Sequence, residues 1–113
     1  MRIVLVMLVC ALPAQETPAQ QTKVVRMIAE RFVFVPSQVK VKKGTVVEFR
    51  ITSEDTNHGF HIPRAGINVI IPKRGRGEVK VVFRAEEPGE YAFECSKACG
   101  AGHTQMRGVL VVE

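Results

Sequence analysis

A succession of short β-branched runs, each ended by a turn signal, most constrains what this chain can fold into. Val24 to Ala29 is rich in β-branched residues, and Phe32, Phe34 and Pro36 follow in a short extended piece. Pro36 lacks an N–H to give to a ladder, which assigns that piece to a sheet edge or a strand end. Val39 and Val41 alternate with Lys40 and Lys42, the pattern of a half-buried strand. After the Lys43-Gly44 turn, Thr45 to Thr52 (TVVEFRIT) predicts a strong strand. Val79, Val81 and Phe83 repeat the alternation, and Pro88-Gly89 turns the chain into Glu90 to Glu94. Gly108 to Val112 predicts the last strand. About seven short strands with turns between them, and no amphipathic helical period, indicate an all-β sandwich or barrel.

The length of 113 residues suits one domain with one modest core. Hydrophobic residues make up 46% and charged residues 24%, which excludes a disordered or collagen-like chain. The net charge is +5, with basic clusters at Lys40, Lys42, Lys43 and at Lys73, Arg74, Arg76. No aromatic side chains interleave with them as a stacking platform for nucleic acid requires, so they read as solvated faces.

Residues Ile3 to Leu12 form an apolar run behind Arg2. The run is too short to cross a bilayer, which takes roughly 20 apolar residues. It fits the hydrophobic part of a secretory signal, with cleavage after Ala14 or Ala19. Cys10 raises acylation as the alternative, although Val9 before it is the wrong residue for that processing. Residues Pro13 to Thr22 are polar, Pro-containing and aperiodic, a linker. The expected organisation is therefore a signal and linker over 1–22 and one folded domain over 23–113.

Chemistry concentrates between the last two predicted strands. Cys95-Ser-Lys-Ala-Cys99-Gly-Ala-Gly-His103-Thr-Gln-Met106 brings two thiols, an imidazole and a thioether into one loop. Those donors together suit a soft or borderline metal such as copper. Gly100 and Gly102 allow tight folding around an ion. His58 and His61 lie just after the strand Thr45 to Thr52. Their spacing of three puts them on opposite faces of an extended chain, so one of them faces the loop, and composition does not choose which.

Other readings of the same residues exist. Cys95 and Cys99 could form a disulfide, which export favours, but His103 and Met106 then have no purpose. A zinc ion on Cys95, Cys99, His103 and His58 satisfies a tetrahedral set and leaves Met106 idle. Cys99 with His103 as a nucleophilic pair lacks an orienting group and an oxyanion hole.

The run Cys95-x3-Cys99-x3-His103-x2-Met106 resembles the CuA loop of cytochrome c oxidase subunit II. Ser53 to His61 is similar to that family's first-ligand segment, and its His58-Gly-Phe-His61 to subunit II of ba-type haem–copper oxidases. The likeness runs from about Arg26 to Glu113 and extends to nitrous oxide reductase. The resemblance implies a cupredoxin-like Greek-key β-sandwich carrying a dinuclear copper centre. Cys95 and Cys99 would bridge two coppers, and His58 and His103 would complete one each. Met106 and the main-chain carbonyl of Lys97 would be the weak ligands, and His61 would lie outside the ligand set. A single type 1 copper needs only His58, Cys99, His103 and Met106, which leaves Cys95 surplus. A second thiolate can bridge to a second metal.

The resemblance further implies single-electron relay outside the cytoplasmic membrane. The donor would be a cytochrome c-type protein, and the acceptor a haem–copper oxidase or reductase. Alone, such a chain would not be an enzyme. Two departures stand out: the chain shows no membrane-spanning helix, and Lys97 stands where many members have Glu. A copper-delivery protein and a mononuclear cupredoxin are the alternatives, and an adhesion or assembly module held by a disulfide or zinc is a third.

Overall fold

The computed structural model describes residues 3–13 and 20–113. Arg2, Ala14 and Ala19, and with them both expected cleavage sites, lie outside the described residues. Residues Ile3 to Pro13 carry no helix or strand, and their side chains, Cys10 included, are exposed. No helix among the described residues is long and apolar enough to cross a membrane.

Nine strands follow: β1 (Thr22–Glu30), β2 (Val33–Val35), β3 (Gln38–Val41), β4 (Val46–Ser53), β5 (His58–Ile62), β6 (Ile67–Ile71), β7 (Val79–Arg84), β8 (Gly89–Glu94) and β9 (Arg107–Val112). They form a four-stranded sheet in the order β2-β1-β4-β7 and a five-stranded sheet in the order β3-β9-β8-β5-β6. β1 pairs with β4, and β3 with β9, in parallel, while the other ladders are antiparallel. β2 ends at Val35 on a sheet edge, where Pro36 costs no ladder bond.

The strands that the alternation predicts are present, and two more, β5 and β6, complete the second sheet. HGFHI has no β-branched residue before Ile62, and INVII is too apolar to alternate cleanly. Both are held by cross-strand pairing, with β5 bonded to β6 along its whole length. A one-sided local pattern cannot show that.

The core lies between the sheets. Phe34, Phe49, Phe60 and Phe93 are fully buried, and their ring centroids lie 5.2–5.9 Å apart in edge-on and tilted contacts. Such pairs add about 0.5–1.5 kcal/mol each beyond the burial of area. The strand directions bring the turn at Arg31–Phe32, the loop from Glu54 to Asn57, the loop from Pro72 to Glu78 and the long loop from Cys95 to Met106 to one end of the sandwich.

Candidate metal centre

The alternation that builds the core also aims the donors. On β5, His58 shares the inward face with Phe60 and Ile62. On β8, Tyr91 and Phe93 point inward, and Cys95, one residue past the strand, continues their face. On β9, Leu110 and Val112 point inward, and Met106, just before the strand, is fully buried on the same register. Three donors are thus extensions of three core faces, fixed by period-2 geometry. Cys99 and His103 come from the loop itself, which the Cys95 N–H closes by donating to the Met106 carbonyl at 3.1 Å.

The donor atoms meet. The ligand atoms of His58, Cys95 and Cys99, all buried, lie within 4.8 Å of one another. The two sulfurs are 3.7 Å apart and both cysteines are free, so they form no disulfide. Cys95 Sγ lies 4.0 Å from His58 Nδ1 and 3.0 Å from the Lys97 carbonyl oxygen. Cys99 Sγ lies 3.7 Å from His103 Nδ1 and 4.0 Å from Met106 Sδ. Each thiol therefore has an imidazole and a weak donor of its own. His61 is held away on the outward face, where its Nδ1 faces Glu94 Oε1 at 3.3 Å. The spacing argument is resolved in favour of His58, whose side chain is 0% exposed against 29% for His61.

Several supporting residues were not legible in the sequence. Asp55 Oδ1 lies 2.6 Å from His58 Nε2. Accepting the Nε2 proton leaves the Nδ1 lone pair turned to the sulfurs, the arrangement in which a carboxylate orients a metal-binding imidazole. A carboxylate three residues before a histidine was the available signal. Gly59 donates its N–H to Cys95 Sγ at 3.4 Å, and Ser96 donates its hydroxyl to Asn68 Oδ1 at 2.7 Å. Phe32 lies under the loop, 2.9 Å from where a Cβ on Gly100 would stand.

The electrostatics fit a metal-free thiol pair. Burial first, then the neighbouring Cys95 thiol, pushes the Cys99 thiol up from its ordinary value, while the Arg31 charge pulls the other way. Both thiols must lose protons to become metal ligands, so metal loading strengthens as pH rises. Partial burial pushes the Asp55 carboxyl up, but the Arg31 N–H, His58 and the Thr56 N–H outweigh it and bring it down to about 2.

A depressed carboxyl stabilises the fold fully above its unfolded value, 3.8, and the gain is lost as pH falls through about 2. The Asp55 side chain is 28% exposed, which limits the contribution to about 2 kcal/mol or less. Urea midpoints of metal-free protein and its Asp55→Asn variant check this. The gap between the two is expected to be steady near pH 6 and to close between pH 4 and pH 2. A gap independent of pH would contradict the assignment.

The donor set, two thiols with two imidazoles, a thioether and a carbonyl on one buried cluster, fits copper by its softness and by the sulfur spacing. The comparisons point the same way. The cupredoxin-like domain family matches residues 1–112. Cytochrome c oxidase subunit 2 of Thermus thermophilus is 40% identical over 101 residues, covering 88% of this chain and 70% of that protein. The same subunit from another strain is matched over 56% of its length. Nitrous-oxide reductase of Ralstonia nicotianae is 33% identical over 93 residues, 79% of this chain and 14% of the reductase. A chain of a haem–copper terminal oxidase dimer superimposes with a TM-score of 0.71 at 31% identity, covering 83% of this chain and 65% of that one. The chain belongs to the cupredoxin-like domain family, is homologous to cytochrome c oxidase subunit 2, and joins one histidine and two cysteines in a cluster compatible with copper.

Proposed function

We propose that the chain is an electron-relay domain built around a dinuclear CuA copper centre. The observation that carries the reading is the division of the donors into two sets across one thiol pair. Cys95 has His58 and the Lys97 carbonyl, and Cys99 has His103 and Met106. Cys95 and Cys99 would hold both ions between them, and His58 and His103 would complete one each. Bound there, the centre supplies a one-electron store whose charge is spread over both ions. The protein's part is to hold the donors still: His58 through Asp55, Cys95 through the Gly59 N–H, and Met106 through full burial. A zinc or single-copper site would leave one or more of these donors unused.

The electron donor would be a cytochrome c-type protein and the acceptor a haem–copper oxidase or a reductase. Lys73, Arg74 and Arg76 are exposed at the metal end, where they repel a strongly basic cytochrome. The exposed apolar run Ile3 to Leu12 supports export to the periplasmic side, by a signal removed or retained.

The test is copper stoichiometry with paramagnetic resonance on the loaded chain. The expected result is two coppers per chain and the hyperfine pattern of one electron shared by two copper nuclei. One copper per chain, or copper held only as loosely bound Cu(I), would replace this reading with a type 1 site or with copper delivery.

A further inference from the structure

We propose that Arg31 is a positioning residue that ties the two ligand-bearing segments together and raises the reduction potential of the copper centre. This rests on the dinuclear reading above. Arg31 lies in the turn between β1 and β2, far in sequence from every donor. Its backbone N–H donates to Asp55 Oδ2 at 2.9 Å, and its Nε donates to the Cys99 carbonyl at 2.8 Å. One residue therefore grips both halves of the site. Asp55 carries the His58 imidazole on its other oxygen, and Cys99 is the thiol that also meets His103 and Met106. The next residue, Phe32, fills the space under Gly100 and Gly102, so the turn supports the loop by packing as well as by hydrogen bonding.

The two bonds differ in kind. The backbone bond to Asp55 survives any substitution of the side chain. The bond to Cys99 does not, and only that bond brings a charge to the thiol loop. A guanidinium keeps its charge at all working pH values and donates in a fixed plane, which suits a carbonyl that has to stay in one place. The Arg31 charge is felt at the sulfur, since it lowers the proton affinity of the Cys99 thiol against the effects that raise it. The same charge favours the state of the centre that has gained an electron. Glu94 and Arg107, the charged pair on the outward face beside the loop, lie 3.9 Å apart and largely cancel each other. Arg31 meets no carboxylate side chain through its guanidinium among the described residues.

Three variants separate charge from support: Arg31→Lys, Arg31→Gln and Arg31→Met, all in a Cys10→Ser background. Arg31 is exposed, so each is expected to fold as the parent does. Two readouts are needed. In the metal-free protein, the rate at which Cys95 and Cys99 react with an aromatic disulfide reports how often the loop opens. Arg31→Met is expected to raise it several-fold. In the copper-loaded protein, the equilibrium constant for reduction against a fixed redox couple reports the charge. Arg31→Gln and Arg31→Met are expected to lower it about tenfold, which is about 59 mV for one electron, while Arg31→Lys keeps most of it. Equal potentials across all four proteins would overturn the tuning role, and unchanged thiol reactivity in Arg31→Met would overturn the clamp. Failure of the parent chain to take two coppers would instead reject the dinuclear reading, and the metal-free measurement would still decide the clamp.

Discussion

Cys95→Ser is expected to reduce the copper content of the loaded chain from two ions to one and to change the class of the centre. The serine hydroxyl is a hard, neutral donor, and it cannot bridge soft ions as a thiolate does. What remains is His58, Cys99, His103 and Met106, the set of a mononuclear blue-copper site with a weak thioether ligand. Those residues stay in place because their supports do not pass through Cys95: Asp55 holds His58, and Met106 is buried in the core. The expected spectrum is that of an electron on one copper nucleus. Cys99→Ser is expected to be more damaging, since Cys99 Sγ contacts Cys95, His103 and Met106 together. Total copper by atomic absorption and paramagnetic resonance on both variants check the contrast. Two coppers retained in Cys95→Ser would remove Cys95 from the bridging role and the dinuclear reading with it.

The sequence carried much of this site because the donors cluster along the chain and extend strand faces. Cys95 and Met106 bracket one loop between β8 and β9, and the alternation on those strands says that both turn inward. His58 against His61 was undecidable from composition, because the residues before them are not a regular strand. Burial of Phe60 and Ile62 against β6 decides it. The supports were illegible for a different reason. Arg31 reaches Asp55 across 24 residues and Cys99 across 68. Nothing in the local pattern Glu-Arg-Phe-Val marks Arg31 as more than a turn cation. Long-range contacts of that kind follow from topology, which a pattern of hydrophobic residues specifies only in part.

The rigidity that suits electron relay comes from close backbone contact rather than from the ligands alone. Gly59 makes this visible, because it stands on β5 next to His58 and directly under the thiol loop. A Cβ there would meet the Ser96 hydroxyl and would stand 2.7 Å from Ser96 N and 2.9 Å from Lys97 N. The hydroxyl could rotate away, but the two backbone nitrogens cannot move without lifting the loop. Gly59→Ala is therefore expected to displace Ser96 and Lys97, to break the Gly59 N–H bond to Cys95 Sγ, and to carry off the Lys97 carbonyl. Overpacking of this kind costs about 1–3 kcal/mol, and loss of outer support lowers metal affinity by about 10–100-fold. The strands are expected to persist, because the clash is with the loop and not with the β6 ladder on the flank. Far-ultraviolet circular dichroism and chelator competition for copper measure the two effects separately. The double variant Gly59→Ala, Ser96→Gly distinguishes hydroxyl from backbone: it is expected to recover little of the affinity, since both nitrogens remain in the way. Full recovery would show that the loop rides on a side chain, and parental affinity in Gly59→Ala itself would show that the ligands do not depend on this contact.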